Sequence, residues 1–534
     1  MFHWTAVREL AVPLEGDRVS ASLMALVRKD LIRPDRPTFA GDEAFRFRHI
    51  LIREVCYDAV PKELRADLHE RFAAWLERAA RSRAAEYEEL LGYHLEQAYR
   101  YRSELEGIDE RGRSLARQAA ERLASAGHRA LARGDVPAAL NLLNRAVSLF
   151  DAAGATRPDV LHDLGVVVYE SGDLAGADQV LTRAIEQAES LGDRRLGARA
   201  LVERAALRQW TDPSFEVDDL LRVTEQAIPV LEESSDELGL SQAWRRVAQA
   251  YWWQCRFAAM EEVLGRALMH AERAGDAHEL SEVLIMLCRA VAMGPTPADE
   301  AARRCREIRE RAEGDPYTQA WVDYMLAVAV AMQGTPDEAR RLCAAAKRTF
   351  QELGLNVALA VADMYAGMVE LITGDAVAAE RELRAGYIAL SEMGERAALS
   401  TMAAMRARAV YAQGRYDEAE SLTSVSREAA SHDDIVTQVK WRSALATVLA
   451  RRGEADRAEV LAREAVALAS PTDFLYLRGH ALDDLAEVLE VSGRAEEAAA
   501  VVEEALRTYD AKGDVASSGA VRSRLDELAA TRPA

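Results

Sequence analysis

The sequence reads LGVVVYESGDLAGADQVLTRAIEQAESLG from Leu164 to Gly192. Apolar residues recur at helical spacing on both sides of the tripeptide SGD, which has the composition of a tight turn with Gly172 at its centre. Gly165 lies seven residues before Gly172, and Leu181 lies nine residues after it. Because a small side chain lets two helices approach closely, the pattern predicts a helical hairpin.

The hairpin pattern recurs with a period of about 40 residues, which is typical of a repeat array. Large apolar residues such as Leu143, Leu181 and Leu383 follow the turns, and we expect them to fill the layer between hairpins. The predicted fold class is an all-α solenoid of about ten hairpins. The turns fall at Gly134, Gly172, near Pro213, and at Cys255, Gly294, Gly334, Gly374, Gly414, Gly453 and Gly493.

About 400 residues of this array resemble the tetratricopeptide (TPR) repeat, and the units at Pro213 and Gly294 depart from its pattern. The unit around Cys255 carries Trp244 and Tyr251 at the positions of the consensus Trp and Tyr. The period is longer than the 34 residues usual for the family, which implies extended helices. The resemblance also implies a concave groove that binds a protein or peptide. The unit around Gly172 matches the consensus at Leu164, Gly165, Ala177, Leu181 and Ala184.

Residues 1–60 do not follow the repeat. The residue pattern predicts a helix over Val19–Lys29, an extended piece at Leu31–Arg33, a strand at Phe45–Arg48 and a helix over Ile50–Ala59. Helix, strand, turn, strand and helix in this order are typical of the end of a winged-helix fold. We therefore predict a small, truncated winged-helix domain before the solenoid.

A second resemblance concerns the start of the chain. It is similar to the junction between ATPase and TPR array in bacterial signalling ATPases of the class III adenylate/guanylate cyclase–AAA/STAND ATPase–TPR type. This resemblance implies a sensor or scaffold module in signal transduction, with an ATPase or cyclase encoded nearby as a candidate partner. The matching stretches are FRFRHILIREVCYDAVPKELRADLHERFAAWLE (Phe45–Glu77), GYHLEQAYRYR (Gly92–Arg102) and ALARGDVPAALNLLNRAV (Ala130–Val147).

The phosphate-loop motif GxxxxGK[ST], which an ATPase needs to hold nucleotide, is absent from the sequence. We therefore expect either a downstream part of such a signalling protein or a standalone module without its motor. The predicted domains are a truncated winged-helix domain (1–60), linking helices (61–113), a TPR-like repeat array (114–513), and a capping helix with a tail (514–534).

Charge and residue composition disfavour nucleic-acid binding, metal binding and catalysis. The net charge of −21 falls entirely on residues 131–534, and an acidic surface repels phosphate backbones, which disfavours nucleic acid as a ligand of the repeats. The five cysteines are scattered and the ten histidines show no metal-ligand spacing, so we predict no metal, no cofactor and no catalytic residue. Without a long apolar run or a signal-peptide pattern, the chain is predicted to be cytoplasmic and to bind no membrane.

Aromatic residues recur three positions before the turn in three consecutive repeats. In TPR proteins this stripe of the first helix lines the concave groove. Arg245 and Gln249 lie on the same stripe, where carboxylate-clamping TPR grooves carry Lys and Asn. Rigid aromatic side chains beside polar ones suit a peptide groove, although packing between neighbouring first helices explains them equally. The candidate partner-binding residues are Tyr169, Trp210, Arg245, Gln249, Trp252, Trp253, Trp321 and Tyr324.

Three functions follow from these features. The first is a non-enzymatic sensor or scaffold that binds a protein or peptide in its concave groove. The alternative is a transcriptional regulator that contacts DNA through a partner or through the winged helix, whose wing carries Arg46 and Arg48. The third is an enzyme, which turnover of ATP or GTP would reveal and which the missing phosphate loop disfavours.

Overall fold

The computed structural model describes residues 2–11, 16–39, 41–212, 215–393 and 395–530. The predicted turn at Pro213 and the tail from residue 531 lie outside them. The chain divides into two compact units, which we call unit one (residues 1–207) and unit two (residues 208–534). The predicted all-α fold is confirmed, because nearly all elements are helices. Within the described ranges, each helix is too short or too polar to span a lipid bilayer.

Unit one begins with a small sheet among helices. Its elements are β1 (Phe2–His3), α1 (Trp4–Leu10), α2 (Gly16–Arg28), β2 (Ile32–Asp35), β3 (Ala44–Phe47) and α3 (Ile50–Asp58). The strands pair antiparallel in the order β1–β3–β2. The two strands and two helices expected from the sequence are present, and β1 is an additional strand that the sequence pattern did not predict. The assignment to the winged-helix family stays a prediction.

The rest of unit one is a series of helices, of which α4 to α9 pack on one another in chain order. The two helices before the predicted array, α4 and α5, already pack side by side, and α5 packs on α6. The bounds are α4 (Lys62–Ala80), a 3₁₀ helix (Arg81–Tyr87), α5 (Glu88–Glu106), α6 (Glu110–Leu131), α7 (Val136–Ala152), α8 (Pro158–Glu170), α9 (Leu174–Leu191) and α10 (Arg194–Thr211), which contains the division between the units.

Unit two continues the same pattern, and nine of the about ten predicted hairpins have two helices in mutual contact among the described residues. Its helices are α11 (Val217–Glu233), α12 (Glu237–Trp253), α13 (Phe257–Ala274), α14 (Ala277–Met293), α15 (Ala298–Arg311), α16 (Pro316–Met332), α17 (Pro336–Glu352), α18 (Asn356–Ile372), α19 (Ala376–Met393), α20 (Ala397–Tyr411), α21 (Tyr416–Ala429), α22 (Ile435–Arg451), α23 (Ala455–Ala469), α24 (Leu475–Val491), α25 (Ala495–Lys512) and α26 (Val515–Ala530).

The two helices of a hairpin meet where the first helix lacks a side chain. A Cβ atom placed on Gly165 would lie 2.6 Å from Cδ2 of Leu181, and one on Gly127 would lie 2.8 Å from Cγ of Leu143. Both distances are far shorter than a carbon–carbon contact, so only a residue without a Cβ fits this approach. Leu181 and Leu143 therefore pack against the first helix of their own hairpin. We had expected them to lie in the layer between neighbouring hairpins.

The predicted turn residues adopt the backbone conformation that a tight turn requires. Gly172 has a φ of 91°, and Cys255, although not a glycine, has a φ of 51° at the equivalent position. Gly294 differs, because its φ is −71° and α14 ends there in extended backbone. The next helix begins at Ala298, directly after Pro297.

In unit two the first helices of successive hairpins also contact one another, as α14 does with α16, α20 with α22, and α22 with α24. Successive second helices show no comparable packing among the described residues. Helices that contact in this way lie on the shorter side of a curved stack. We call the surface that the first helices form in unit two the inner face.

Hairpins far apart in the sequence also meet within unit two. Asp473, just before α24, accepts hydrogen bonds from the backbone N–H groups of Phe257 (2.7 Å) and Ala258 (2.8 Å) at the start of α13. Asp433, before α22, accepts one from Val217 N–H at the start of α11 (3.1 Å). These carboxylates satisfy helix N-terminal donors that lack intrahelical partners. The partners are all more than 200 residues apart, so the contacts join successive turns of the stack.

Lys512 makes the complementary contact at a helix C-terminus. Its side chain is 0% exposed, and its ammonium group donates hydrogen bonds to the carbonyl oxygens of Ala292 (2.9 Å), Gly294 (2.7 Å) and Thr296 (2.6 Å). Carbonyl groups at the end of a helix carry partial negative charge and lack intrahelical donors. One lysine at the end of α25 therefore completes the hydrogen bonding of the end of α14.

We predict that Lys512→Met lowers the free energy of unfolding of unit two by about 2–4 kcal/mol, because buried carbonyl oxygens lose their donor. Urea denaturation followed by circular dichroism measures the change. Arg507→Met is the matched control on the same helix, since Arg507 is exposed and its nearest carboxylate, on Glu503, is 4.0 Å away. An equal effect of the two substitutions would contradict a structural role for Lys512.

Candidate functional site

Three of the predicted tryptophans form one cluster in unit two. The ring centroids of Trp210 and Trp253 are 4.8 Å apart, and the ring of Trp252 lies 6.5 Å from Trp210 and 6.0 Å from Trp253. Trp253 is buried, whereas Trp210 and Trp252 are half-buried. The guanidinium group of Arg289 lies 5.0 Å from the centre of the Trp252 ring, within the range of a cation–π interaction. The cluster thus combines packing with some surface that a partner could contact.

The polar residues predicted beside these rings are buried and bonded to neighbouring helices. Arg245 Nε donates a hydrogen bond to Glu279 Oε1 (2.9 Å), and Glu279 is 2% exposed. Gln249 Nε2 donates to Gln209 Oε1 (3.4 Å). Both polar residues therefore hold first helices together. Their contact with a partner stays a prediction.

The other three candidates lie apart from this cluster. In unit one, Tyr169 is half-buried and packs at the edge of the hydrophobic core. In unit two, Trp321 is 7% exposed and Tyr324 is 0% exposed, and both pack around the ring of Phe350 with centroid distances of 5.0 and 6.1 Å. Burial of this kind is expected if these aromatic residues pack between neighbouring helices and do not contact a partner. A partner-binding role for these three residues stays untested.

A pocket that the sequence analysis did not identify opens on the inner face of unit two. Four successive first helices form it, and its volume is about 30 Å³, which is room for about two water molecules. Aliphatic and aromatic side chains make most of the wall, and charged groups converge within it. The lining residues are Leu371, Ala404, Met405, Arg408, Val439, Lys440, Ser443, Ala444, Tyr476, Leu477, His480, Ala481 and Asp484.

The repeat brings the charged residues together. His480 and Asp484 are four residues apart on α24, so they share one face of that helix. Lys440 on α22 occupies the same repeat position as His480, 40 residues earlier. Arg408 on α20 lies six residues before its turn, as Gln249 does in its own repeat. The sequence feature that could have identified the pocket is the presence of charged residues within first helices that are otherwise rich in Ala and Leu.

One ion pair crosses the pocket. Arg408 Nη1 donates a hydrogen bond to Asp484 Oδ1, and Asp484 is 3% exposed. Burial raises the pKa of the Asp484 carboxyl group above its usual value, and the positive charge of Arg408 opposes that rise. A buried carboxylate that keeps its cation this close stays ionised at neutral pH.

Two further polar side chains of the pocket, Ser443 and His480, make no hydrogen bond with a described residue. Both ring nitrogens of His480 and the Oγ atom of Ser443 are buried and have no hydrogen-bond partner among the described residues. Burial, with the nearby charges of Arg408 and Lys440, holds the pKa of His480 well below its usual value, so its ring is neutral. The Lys440 ammonium group lies 5.9 Å from the Tyr476 ring and forms no hydrogen bond or ion pair with a described residue.

Comparison with known proteins leaves the family open. No protein-family model and no curated protein matches the chain. Among solved structures it is similar to a Rap protein complexed with competence and sporulation factor, with 12% identity, a TM-score of 0.43, and coverage of 70% of this chain and 99% of that one. Yeast Tom70 gives 13% identity, a TM-score of 0.36 and coverage of 84% and 96%.

A STAND protein with a tetratricopeptide repeat sensor, from Pyrococcus horikoshii, gives 13% identity and a TM-score of 0.46. The match covers 80% of this chain and 60% of that protein, so the chain spans less than two thirds of its length. The similarities to all three structures are weak, and the function has to be inferred from the residues of this chain.

We predict that Arg245→Met lowers the free energy of unfolding of unit two by about 3 kcal/mol, because it leaves the buried Glu279 carboxylate without its cation. Chemical denaturation measures the loss. Arg273→Met is the control, since Arg273 is exposed and lies 3.9 Å from Glu237. If Arg245→Met were as stable as the wild type, the ion pair would be dispensable for the fold and the predicted groove role of Arg245 would gain support.

Proposed function

We propose that this chain is a non-catalytic binding module that holds a segment of peptide or protein against the inner face of unit two. The observation that carries the proposal is the pocket between α18, α20, α22 and α24, in which the buried polar atoms of Ser443 and His480 have no partner among the described residues. A folded protein leaves such groups unsatisfied at a cost, which a bound ligand can offset. Their convergence in one apolar recess is typical of a binding site.

A peptide is the ligand class that suits a repeat stack. The inner face continues from the pocket along the preceding first helices α16 and α14, so an extended segment can make many small contacts while one group enters the pocket. The aromatic cluster around Trp252 lies on first helices of the same unit. We therefore keep it as a second contact region of the same module.

The finer role of a sensor or scaffold in a signalling ATPase or cyclase system rests on the junction-like sequence near the start of the chain. No structural observation favours the alternative of DNA binding. The two wing arginines lie near carboxylates, Arg46 at 3.6 Å from Asp35 and Arg48 at 3.4 Å from Asp30. Arginines that face carboxylates are partly neutralised, which weakens the case for a phosphate contact.

We predict that selection of a random peptide library on the full chain yields peptides whose affinity falls at least about tenfold in Ser443→Met. The longer side chain fills the pocket and excludes a ligand group, which costs roughly 1.4 kcal/mol or more of binding free energy. Isothermal titration calorimetry measures Kd, and a thermal melt establishes that the variant is folded.

Arg442→Met is the matched control. Arg442 directly precedes Ser443 but does not line the pocket, and its Nε atom lies 3.1 Å from the carboxylate of Glu464. It should bind the selected peptides as the wild type does. A selection that enriches no peptide would refute the proposed function. Peptides that lose affinity in Trp252→Ala/Trp253→Ala but not in Ser443→Met would move the site to the aromatic cluster.

A further inference from the structure

Two buried cysteines are in contact inside unit two, although the five cysteines are scattered along the sequence. The Cys288 thiol on α14 donates a hydrogen bond to Cys305 Sγ on α15 at 3.1 Å, and both residues are 0% exposed. We infer that Cys288 and Cys305 are a redox-modification site, which a small-molecule disulfide oxidises to a disulfide bond within the hairpin. The inference concerns this hairpin and is independent of what the inner face binds.

The two sulfur atoms are already close to bonding distance. The sulfurs of a disulfide are about 2.05 Å apart, so an approach of about 1 Å closes the bond. Cys288 and Cys305 lie on the two helices of one hairpin, and these helices pack side by side. In the part of the chain that the structure describes, no other pair of thiols is in contact. Cys255 and Cys343 are buried without a second thiol beside them, and Cys56 is exposed.

The closed fold protects this pair of thiols from oxidants. Burial, together with the hydrogen bond to Cys305, raises the pKa of the Cys288 thiol well above its usual value, and the positive charge of Arg289 opposes that rise. The thiolate is the form that attacks a disulfide. The protonated, buried pair therefore reacts only after the hairpin opens to water.

The chain between the two cysteines is the segment that Lys512 holds in place. The three carbonyl groups that accept hydrogen bonds from Lys512 all lie between Cys288 and Cys305 in the chain. Gln333 Nε2 donates a further hydrogen bond to the carbonyl oxygen of Ala298, at the start of α15 (2.8 Å). An opening that admits an oxidant has to break these bonds, so the contact between successive turns controls access to the thiols.

The proposed reaction is a thiol–disulfide exchange in two steps. One cysteine loses its proton, attacks a sulfur of the small disulfide and releases one small thiol. The other cysteine then attacks the protein sulfur of this mixed disulfide, which forms the Cys288–Cys305 bond and releases the second small thiol. Two electrons pass from the cysteines to the small disulfide, and their two protons leave on the two small thiols. The second step is intramolecular and fast, because its thiol is already in contact.

The disulfide bond would hold α14 against α15. The two cysteines are 17 positions apart, and a link across such a loop stabilises a fold because it restricts the unfolded chain. Arg289 follows Cys288 directly, and its guanidinium group lies 5.0 Å from the centre of the Trp252 ring. Oxidation would therefore restrain the part of α14 that borders the aromatic cluster.

The test uses the full chain with Cys56→Ser, which removes the exposed thiol and with it the simplest route to links between molecules. The folded chain is incubated with oxidised glutathione, the remaining thiols are alkylated, and the peptides are identified by mass spectrometry. We expect one linked pair, Cys288 with Cys305, with unchanged helical circular dichroism and reversal by dithiothreitol. The linked chain should unfold at a higher urea concentration than the reduced chain.

Two variants in this background separate the pair from the other thiols. Cys305→Ser should form no link within the chain. Cys343→Ser is the matched control, because it removes a buried cysteine that has no thiol neighbour, and it should be oxidised as the parent is. No link, a link between other cysteines, stable attachment of glutathione to Cys288 without closure of the bond, or a linked chain that unfolds at a lower urea concentration would each overturn the inference.

Lys512→Met tests the control of access. We expect this variant to form the link at least about tenfold faster than the parent, because the loss of its hydrogen bonds raises the population of the open hairpin. Gln333→Leu, which removes a single hydrogen bond from the same segment, should give a smaller acceleration and serves if Lys512→Met does not fold. Arg507→Met should react at the parent rate. Equal rates in all of these chains would overturn the role given to Lys512.

Discussion

The close approach of the two helices in each hairpin is the constraint on which the rest of the molecule depends. Gly165 against Leu181 and Gly127 against Leu143 leave no room for a Cβ atom, so the second helix lies directly on the first. Hairpins of this narrow shape stack with their first helices in mutual contact in unit two. The neighbouring first helices then bury polar side chains in the middle of each helix. These side chains need a hydrogen-bond partner, which is either another side chain or a bound ligand.

The second constraint is the set of contacts between successive turns of unit two. Asp433 precedes α22 and Asp473 precedes α24, so the two helices that carry Lys440 and His480 are each fixed at their start by a hairpin from the turn before. Lys512, at the end of α25 in the same hairpin as α24, bonds to the end of α14. A pocket whose walls are held from outside is already formed before its ligand arrives, which reduces the entropy lost on binding.

The sequence predicted the repeat and most of its turns because these follow from local spacing. Cys255 was placed correctly at a turn without being a glycine, since the period alone located it. The register of the inner stripe was also available, but the sequence could not tell which repeats use it for binding. Arg245 lies on the stripe expected to line the groove but is buried in an ion pair with Glu279. Arg408 also forms an ion pair, with Asp484, but it lies in a pocket that polar side chains of α22 and α24 line as well. Such convergence depends on tertiary packing, which periodicity does not encode.

The central claim is that a peptide ligand contacts the inner face of unit two at the pocket. Hydrogen–deuterium exchange of the full chain, measured with and without a saturating selected peptide, tests this most directly because it reads every helix at once. The account predicts slower exchange in α20 (Ala397–Tyr411), α22 (Ile435–Arg451) and α24 (Leu475–Val491), with little change in their partner second helices. Protection confined to α10 and α12, where the tryptophans lie, would contradict it.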